Sequence, residues 1–265
     1  MSWNRVSRTA RCPICQHDSW CLVNSDAVLC MRVPCEHSYA LKSGETGWIH
    51  RLDGKPVGDY TSRKVKEPPT INPTRILATW RNQMEPGWLE QAARNLGVSC
   101  ASLERLRACW SPDYRAMAFP MYNGTGSIVG IRLRAVDGSK FAVPGSHQGI
   151  FLPAMDAQPT VLILEGPTDT AAALTLGYYA IGRPSCSGGS TEIVHAIKRF
   201  DIKHAIIIAD NDIPGLEGAR NLSGCLPIHS CIAVLPCKDL REFIACGGTR
   251  DTLDSLLKGF LWSEP

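Results

Sequence analysis

The chain has 265 residues, 44% of them hydrophobic, with a formal net charge of +3 and 12 cysteines. That length supports one large domain or two smaller ones, and no apolar stretch approaches the ~20 residues that would span a bilayer. The N-terminus MSWNRVSRTARC lacks the apolar core of a signal peptide, so the expected compartment is the cytoplasm, where thiols stay reduced and clustered cysteines bind metal more often than they form disulfides.

Charge is unevenly spread. Lys and Arg against Asp and Glu number 10 to 7 over residues 1–70, 9 to 6 over 71–160 and 9 to 12 over 161–265. Two positive segments before an acidic one suit a protein that holds a polyanion with its front part and metal ions with its rear.

The first element is CPICQHDSWCLVNSDAVLCMRVPCEH, residues 12–37, which opens with a CxxC knuckle. Such a turn presents two thiolates to one ion, and zinc is expected. If WCLV and AVLC pair around a tight turn at Ser25-Asp26, Cys21 and Cys30 are opposed on one face with Cβ atoms ~5 Å apart. That register selects Cys12, Cys15, Cys21 and Cys30; a rival set replaces Cys21 with Cys35 or His37. Trp20, Arg32, Trp48, His50 and Arg51 offer aromatic and cationic surface for a single strand, although Trp20 reads more readily as core of the small domain.

Residues 52–74 are rich in Pro, Gly and charge, have no periodicity and read as a linker. Helical patterns follow from Pro73 to about Cys109. Within them WLEQAARNLGVSCASLERLRA, residues 88–108, has helix-turn-helix spacing at Ala93, Gly97 and Leu103, with Ser99 able to cap the second helix. AMAFPMYN and SIVGIRLRAV flank NGTG as a hairpin, and KFAVP and GIFLP are further short strands. Arg132, Arg134 and Lys140 lie on or after the second hairpin strand, the two arginines sharing a face, and are candidates for nucleotide or template phosphates.

From Val161 the texture changes to strands VLILE, YYAIG, HAIIIAD and HSCIAVL with helices near 168–176, 191–200, 214–224 and 251–259, which predicts a doubly wound parallel sheet. Three strand ends deliver Glu165, Asp210 with Asp212, and Asp239 to one edge, and Lys238 stands beside the last. Ligands bind at the carboxyl ends of such strands. Asp210 and Asp212, two apart in an extended segment, would face one ion. Oxygen ligands without histidine or thiolate suit magnesium or manganese. GRPSCSGGST, residues 182–191, is a Gly- and Ser-rich loop suited to backbone contact with phosphate. No GxxxxGK[ST] phosphate loop is present, so a built-in helicase motor is not expected.

EGPTD followed about 40 residues later by DND resembles the Toprim signature of primases, type IA and II topoisomerases, certain nucleases and RecR recombination mediators. The resemblance covers about residues 160–245. It implies that Glu165 is the catalytic acid or base and that Asp210 and Asp212 are magnesium ligands. VLPCKD is similar to the third acidic motif of the primase halves of phage primase-helicases, which implies metal binding by Asp239 too. A zinc ribbon, a basic middle segment and a Toprim domain follow one another in bacterial and phage primases, where the ribbon helps select the template site.

The fold class expected is therefore α/β: a zinc ribbon over residues 1–51, a linker over 52–74, a mixed α+β primase subdomain over 75–159 and a Toprim domain over 160–265. The expected function is that of a DNA primase, making short RNA primers on single-stranded DNA from ribonucleoside triphosphates, with a separate replicative helicase as partner and no membrane. The alternatives are a Toprim nuclease, a RecR-like DNA clamp, and a duplex-binding replication initiator built on residues 88–108.

Overall fold

A computed structural model describes residues 3–41, 46–54 and 69–261. Most of the expected linker, residues 55–68, lies outside the described residues. The chain divides into two compact units, Met1–Pro68 and Pro69–Pro265.

The first unit is one antiparallel sheet of β1 (Asn4–Arg5), β2 (Leu22–Val23), β3 (Ala27–Cys30), β4 (Ser38–Ala40) and β5 (Thr46–Arg51), in the order β1-β2-β3-β5-β4. Asn24 makes the turn between β2 and β3. Its Oδ1 accepts from the amides of Asp26 at 2.9 Å and Ala27 at 2.7 Å, an Asx arrangement that fixes the hairpin register. The two-residue period then sorts β3, with Val28 and Cys30 packing on Cys12 and Cys21 and Ala27 and Leu29 packing on Ile49.

The second unit opens with α1 (Pro73–Asn82), capped by Asn72, whose Oδ1 accepts from the Arg75 amide at 3.0 Å. The expected helical run to Cys109 is interrupted. It contains α2 (Trp88–Leu96) and α3 (Cys100–Arg105), and Cys109–Ser111 is instead β6, drawn into the sheet by pairing with β7 (Ala116–Tyr122). Ser99 does cap α3, accepting from the Ser102 amide at 3.1 Å. α3 has six residues, its Ser102 and Leu103 are buried, and the Ser99 amide donates to Thr175 Oγ1 at 2.9 Å, so one side of this second helix is a packing face.

β8 (Ile128–Ala135) and β9 (Lys140–Ala142) complete the antiparallel sheet β6-β7-β8-β9. β7 is buried on both faces: Ala116 and Ala118 pack with Leu77 and Trp80 of α1, while Met117, Phe119 and Met121 enter the core of the parallel sheet. β6 begins at Cys109 opposite Ala118, so Pro120 falls where it withholds no bond from β6. Ile150 and Phe151, from the expected strand GIFLP, bridge to Tyr122 and Gly182 and so join the two sheets.

The parallel sheet has the order β11-β10-β12-β13, from β10 (Thr160–Glu165), β11 (Ala180–Arg183), β12 (His204–Ala209) and β13 (His229–Val234). Between and after them run α4 (Gly166–Thr175), α5 (Ser190–Arg199), α6 (Ile213–Ser223), α7 (Leu240–Ala245) and α8 (Arg250–Leu261). Leu162, Leu164, Ile206 and Ile208 face one core and Val161, Ile163, Ala205 and Ile207 the other, the pattern of a sheet covered on both sides. Two details differ from expectation. The second strand begins at Ala180 and not at Tyr178, and α7 follows Asp239 in a segment too short to show a helical period.

Phe119 is fully buried and meets Phe151 edge-on, with ring centroids 6.5 Å apart, where the two sheets of the second unit join. Phe119→Ala is expected to cost about 3–5 kcal/mol. Urea unfolding of the full chain, read on both units, checks this; a loss below about 1 kcal/mol would show that the site collapses around the smaller residue.

Candidate active site and metal centre

The parallel order of β11, β10, β12 and β13 points their carboxyl ends to one edge, and the acids lie there. Glu165 ends β10 and stands at the N-cap of α4 without a side-chain cap bond. Asp210 follows β12. Asp212 caps α6, its Oδ1 accepting from the Gly215 amide at 2.7 Å, and Asp239 caps α7, its Oδ1 accepting from the Glu242 amide at 2.8 Å. Capping is thus one role of Asp212 and Asp239, using one oxygen of each. The segment from Asp210 to Asp212 is not extended as expected, since the Asp212 amide donates to the Asp210 carbonyl at 2.8 Å and turns the chain sharply. Gly215 lets α6 start against that turn: a Cβ there would come within 2.5 Å of the Asp210 carbonyl oxygen.

A fifth carboxylate was missing from the residues selected by sequence. Asp169, in the first turn of α4, is buried and accepts from the Arg241 amide at 3.1 Å. The four-residue spacing from Glu165 to Asp169 was the available signal, since it puts both on one side of a helix start. Burial, then the charge of Asp239, pushes the Asp169 carboxyl up to about 6. At Asp210, burial followed by the charges of Glu165, Asp169, Asp239 and Asp212 pushes it up to about 7. The five acids therefore form one electrostatic cluster.

Basic groups face it from the antiparallel sheet. Arg132 pairs with Phe119 and Arg134 with Met117, so both arginines share the β7 face that enters the parallel-sheet core. Arg132 Nη2 donates to the Pro184 carbonyl at 2.8 Å, and its charge is felt with that of Glu165. Arg134 lies among Arg241, Asp169 and Asp239, and Lys140, its cross-strand partner, adds positive charge near Asp169. Lys238 is exposed next to Asp239. Arg183, also unselected from the sequence, is buried opposite Glu165 and donates to the Gly188 carbonyl at 3.3 Å and the Gly218 carbonyl at 3.1 Å. It ties the Gly- and Ser-rich loop to α6. Glu165, Arg183, Cys186 and Asp210 line a small cavity at this edge.

The raised Asp210 carboxyl has a thermodynamic consequence. Unfolded, it loses its proton near 4; folded and metal-free, it keeps it to about 7. The folded state binds the extra proton between these values, so stability falls as pH rises through this window and the penalty is complete above it. Metal-free Asp210→Asn is therefore expected to melt higher than the parent at pH 8, with the difference shrinking towards pH 4. Calorimetric melting curves across that range check the sign; an Asn variant that melts lower at pH 8 contradicts it.

In the first unit the sulfurs of Cys12, Cys15, Cys21 and Cys30 lie within 4.8 Å of one another. The hairpin continues Leu22↔Leu29, which puts Cys21 opposite Cys30. Cys35 Sγ approaches the Ile49 carbonyl at 3.3 Å instead, and His37 is exposed. Burial raises the Cys15 thiol, but hydrogen bonds from the His17 backbone and the other three thiols outweigh it and bring it down to about 7; burial pushes Cys21 up to about 12. Four thiols gathered this closely fit a tetrahedral zinc site. The Met31 amide on Cys21 Sγ and the Val33 amide on Cys30 Sγ, both at 3.4 Å, supply the N–H donors that support thiolates. Trp20 is not core: 66% of it is exposed, because its φ of 72° turns it out from the knuckle. It lines a groove with Met31, Arg32, Thr46 and Trp48.

Among solved structures, the primase fragment of the bacteriophage T7 primase-helicase aligns with a TM-score of 0.50 at 20% identity, over 61% of this chain and 72% of that one. The Aquifex aeolicus primase, comprising zinc-binding and RNA polymerase domains, aligns at 0.57 and 14% identity over 70% and 59%. A DnaG primase catalytic domain bound to single-stranded DNA aligns at 0.57 and 14% over 70% and 76%. The chain has the fold of a Toprim-type primase. No protein-family model and no curated protein matches its sequence, so the primase fold rests on structure at low identity. No helix among the described residues of this primase fold is long and apolar enough to cross a membrane.

Proposed function

We propose that the chain is a DNA primase that synthesises short RNA primers on single-stranded DNA. The observation that carries this is the meeting of five carboxylates from three strand ends and one helix start with Arg132, Arg134 and Lys140 from the neighbouring sheet. Among the described residues, the carboxylate oxygens are not drawn together within the 4.8 Å that gathers the thiols. Magnesium typically keeps several waters and is held by one or two carboxylates plus substrate phosphates.

Asp210, Asp212 and Asp239 would hold the ions. Magnesium or manganese, when bound, supplies positive charge against the triphosphate and the departing pyrophosphate. Glu165 makes no cap bond, which leaves its carboxylate available to take the proton of the primer 3′-hydroxyl or to hold an ion. Arg132, Arg134, Lys140 and Lys238 would orient phosphates of nucleotide and template, contributing position and charge in a reaction that depends mainly on both. The zinc-bearing unit would choose the template site, its Trp20 and Trp48 offering stacking surfaces for unpaired bases.

The test is incubation with single-stranded templates, ribonucleotides and magnesium, resolved on a gel. Short ribonucleotide products support the reading. Shortened templates without primers would reassign the site to a nuclease, and template binding without either product would indicate a clamp or initiator. A cytoplasmic setting and a separate helicase belong to the same proposal.

A further inference from the structure

A second pocket, of about 250 Å3, adjoins the acidic edge inside the same unit. Trp88 and Trp110 form its aromatic wall, with ring centroids 5.7 Å apart and tilted by 46°. Gln91 and Asn95, one turn apart on α2, place side-chain amides at its rim, where Gln91 Nε2 donates to Asn95 Oδ1 at 2.9 Å. Arg134 and Arg241 close the other end.

These two guanidiniums repel each other, and among the described residues neither makes an ion pair with a carboxylate within 4.0 Å. An anion between them would relieve that repulsion. Arg241 is also fixed to the acids, since its amide bonds Asp169 and it follows Asp239 by two residues. The pocket and the acidic edge thus share a cationic wall.

We propose that this pocket seats the base of a ribonucleoside triphosphate whose phosphates run past Arg134 and Arg241 to the acidic edge; the inference rests on the primase reading. The volume is below that of pockets enclosing drug-sized ligands, so it accommodates a base and leaves the triphosphate outside. Two indoles supply stacking surface that accepts any base, and the rim amides can both donate to and accept from a base edge. A lipid or an apolar peptide would use the indoles but bring no negative charge to the two guanidiniums.

Calorimetric titration of the full chain with magnesium ATP, tripolyphosphate and a short oligodeoxynucleotide tests this. Trp110→Leu removes one of the two stacking surfaces. Val136→Trp plugs the mouth from a side chain that is 87% exposed, so the fold is spared. Each should weaken ATP about tenfold while leaving tripolyphosphate unchanged. Arg134→Gln should weaken both. Unchanged ATP affinity in the two pocket variants overturns the assignment, as does loss of oligodeoxynucleotide affinity alone, which would give the pocket to a template base. If the parent binds no ATP at all, the primase reading itself fails, and this inference with it.

Discussion

Asp210→Asn is expected to lower primer synthesis by at least about 10²–10³-fold while raising the thermal stability of the metal-free protein at pH 8. The two effects have one cause. Asp210 is half-buried among Glu165, Asp169, Asp239 and Asp212, with no ion pair among the described residues, so its negative charge destabilises the empty fold. Under the proposed function that charge serves to hold a divalent ion and the phosphates around it. A purely structural acid would show the reverse pairing, with activity falling because stability falls. Asp212→Asn and Asp239→Asn provide the companion test: asparagine caps a helix as well as aspartate does, so α6 and α7 should persist while synthesis is lost. Primer assays beside melting curves distinguish the cases, and full synthesis by Asp210→Asn would falsify the assignment.

Cys21→Ser is expected to release zinc and unfold the first unit, whereas Cys35→Ser should retain both metal and fold. Structural zinc contributes about 10–16 kcal/mol of apparent binding energy near neutral pH, and a unit of this size has little core to replace it. Cys12 and Cys21 are themselves part of that core, beside Val6 and Val28. The high proton affinity of the Cys21 thiol without metal adds a pH dependence: binding must displace that proton, so affinity falls as pH falls. Zinc content per chain, with circular dichroism before and after chelation, measures the outcome. Retention of zinc by Cys21→Ser together with its loss from Cys35→Ser would move the fourth ligand to Cys35.

Much of the framework was legible in one dimension because the relevant physics is local. The apolar run from Val161 to Leu164 announces a strand covered on both faces, and the acid and turn after it place Glu165 at a strand end. The CxxC knuckle and a tight turn at Ser25-Asp26 predict the hairpin register that brings Cys21 and Cys30 together, since period and turn length depend only on nearby residues. Residues 73–109 were less legible, because Cys109–Ser111 becomes strand only through a long-range pairing with Ala116–Ala118.

The environment of each site belongs to tertiary structure. Nothing near Asp169 in sequence indicates that it is buried against Arg241, 72 residues away, or that Arg183 reaches the Gly218 carbonyl. The same holds for the face on which Arg132 and Arg134 point: the two-residue period says that they share one, but whether it meets water or the acidic edge is decided by how the second sheet packs. Trp20 shows the opposite limit, since its hydrophobicity favoured the core and its backbone conformation turned it outward. Sequence by itself determined which residues end strands and which thiols share a hairpin, because backbone periodicity is a local property. Only the tertiary structure decided which charges meet and what they do to one another, because electrostatic interaction depends on distance through the fold and on the water that packing excludes.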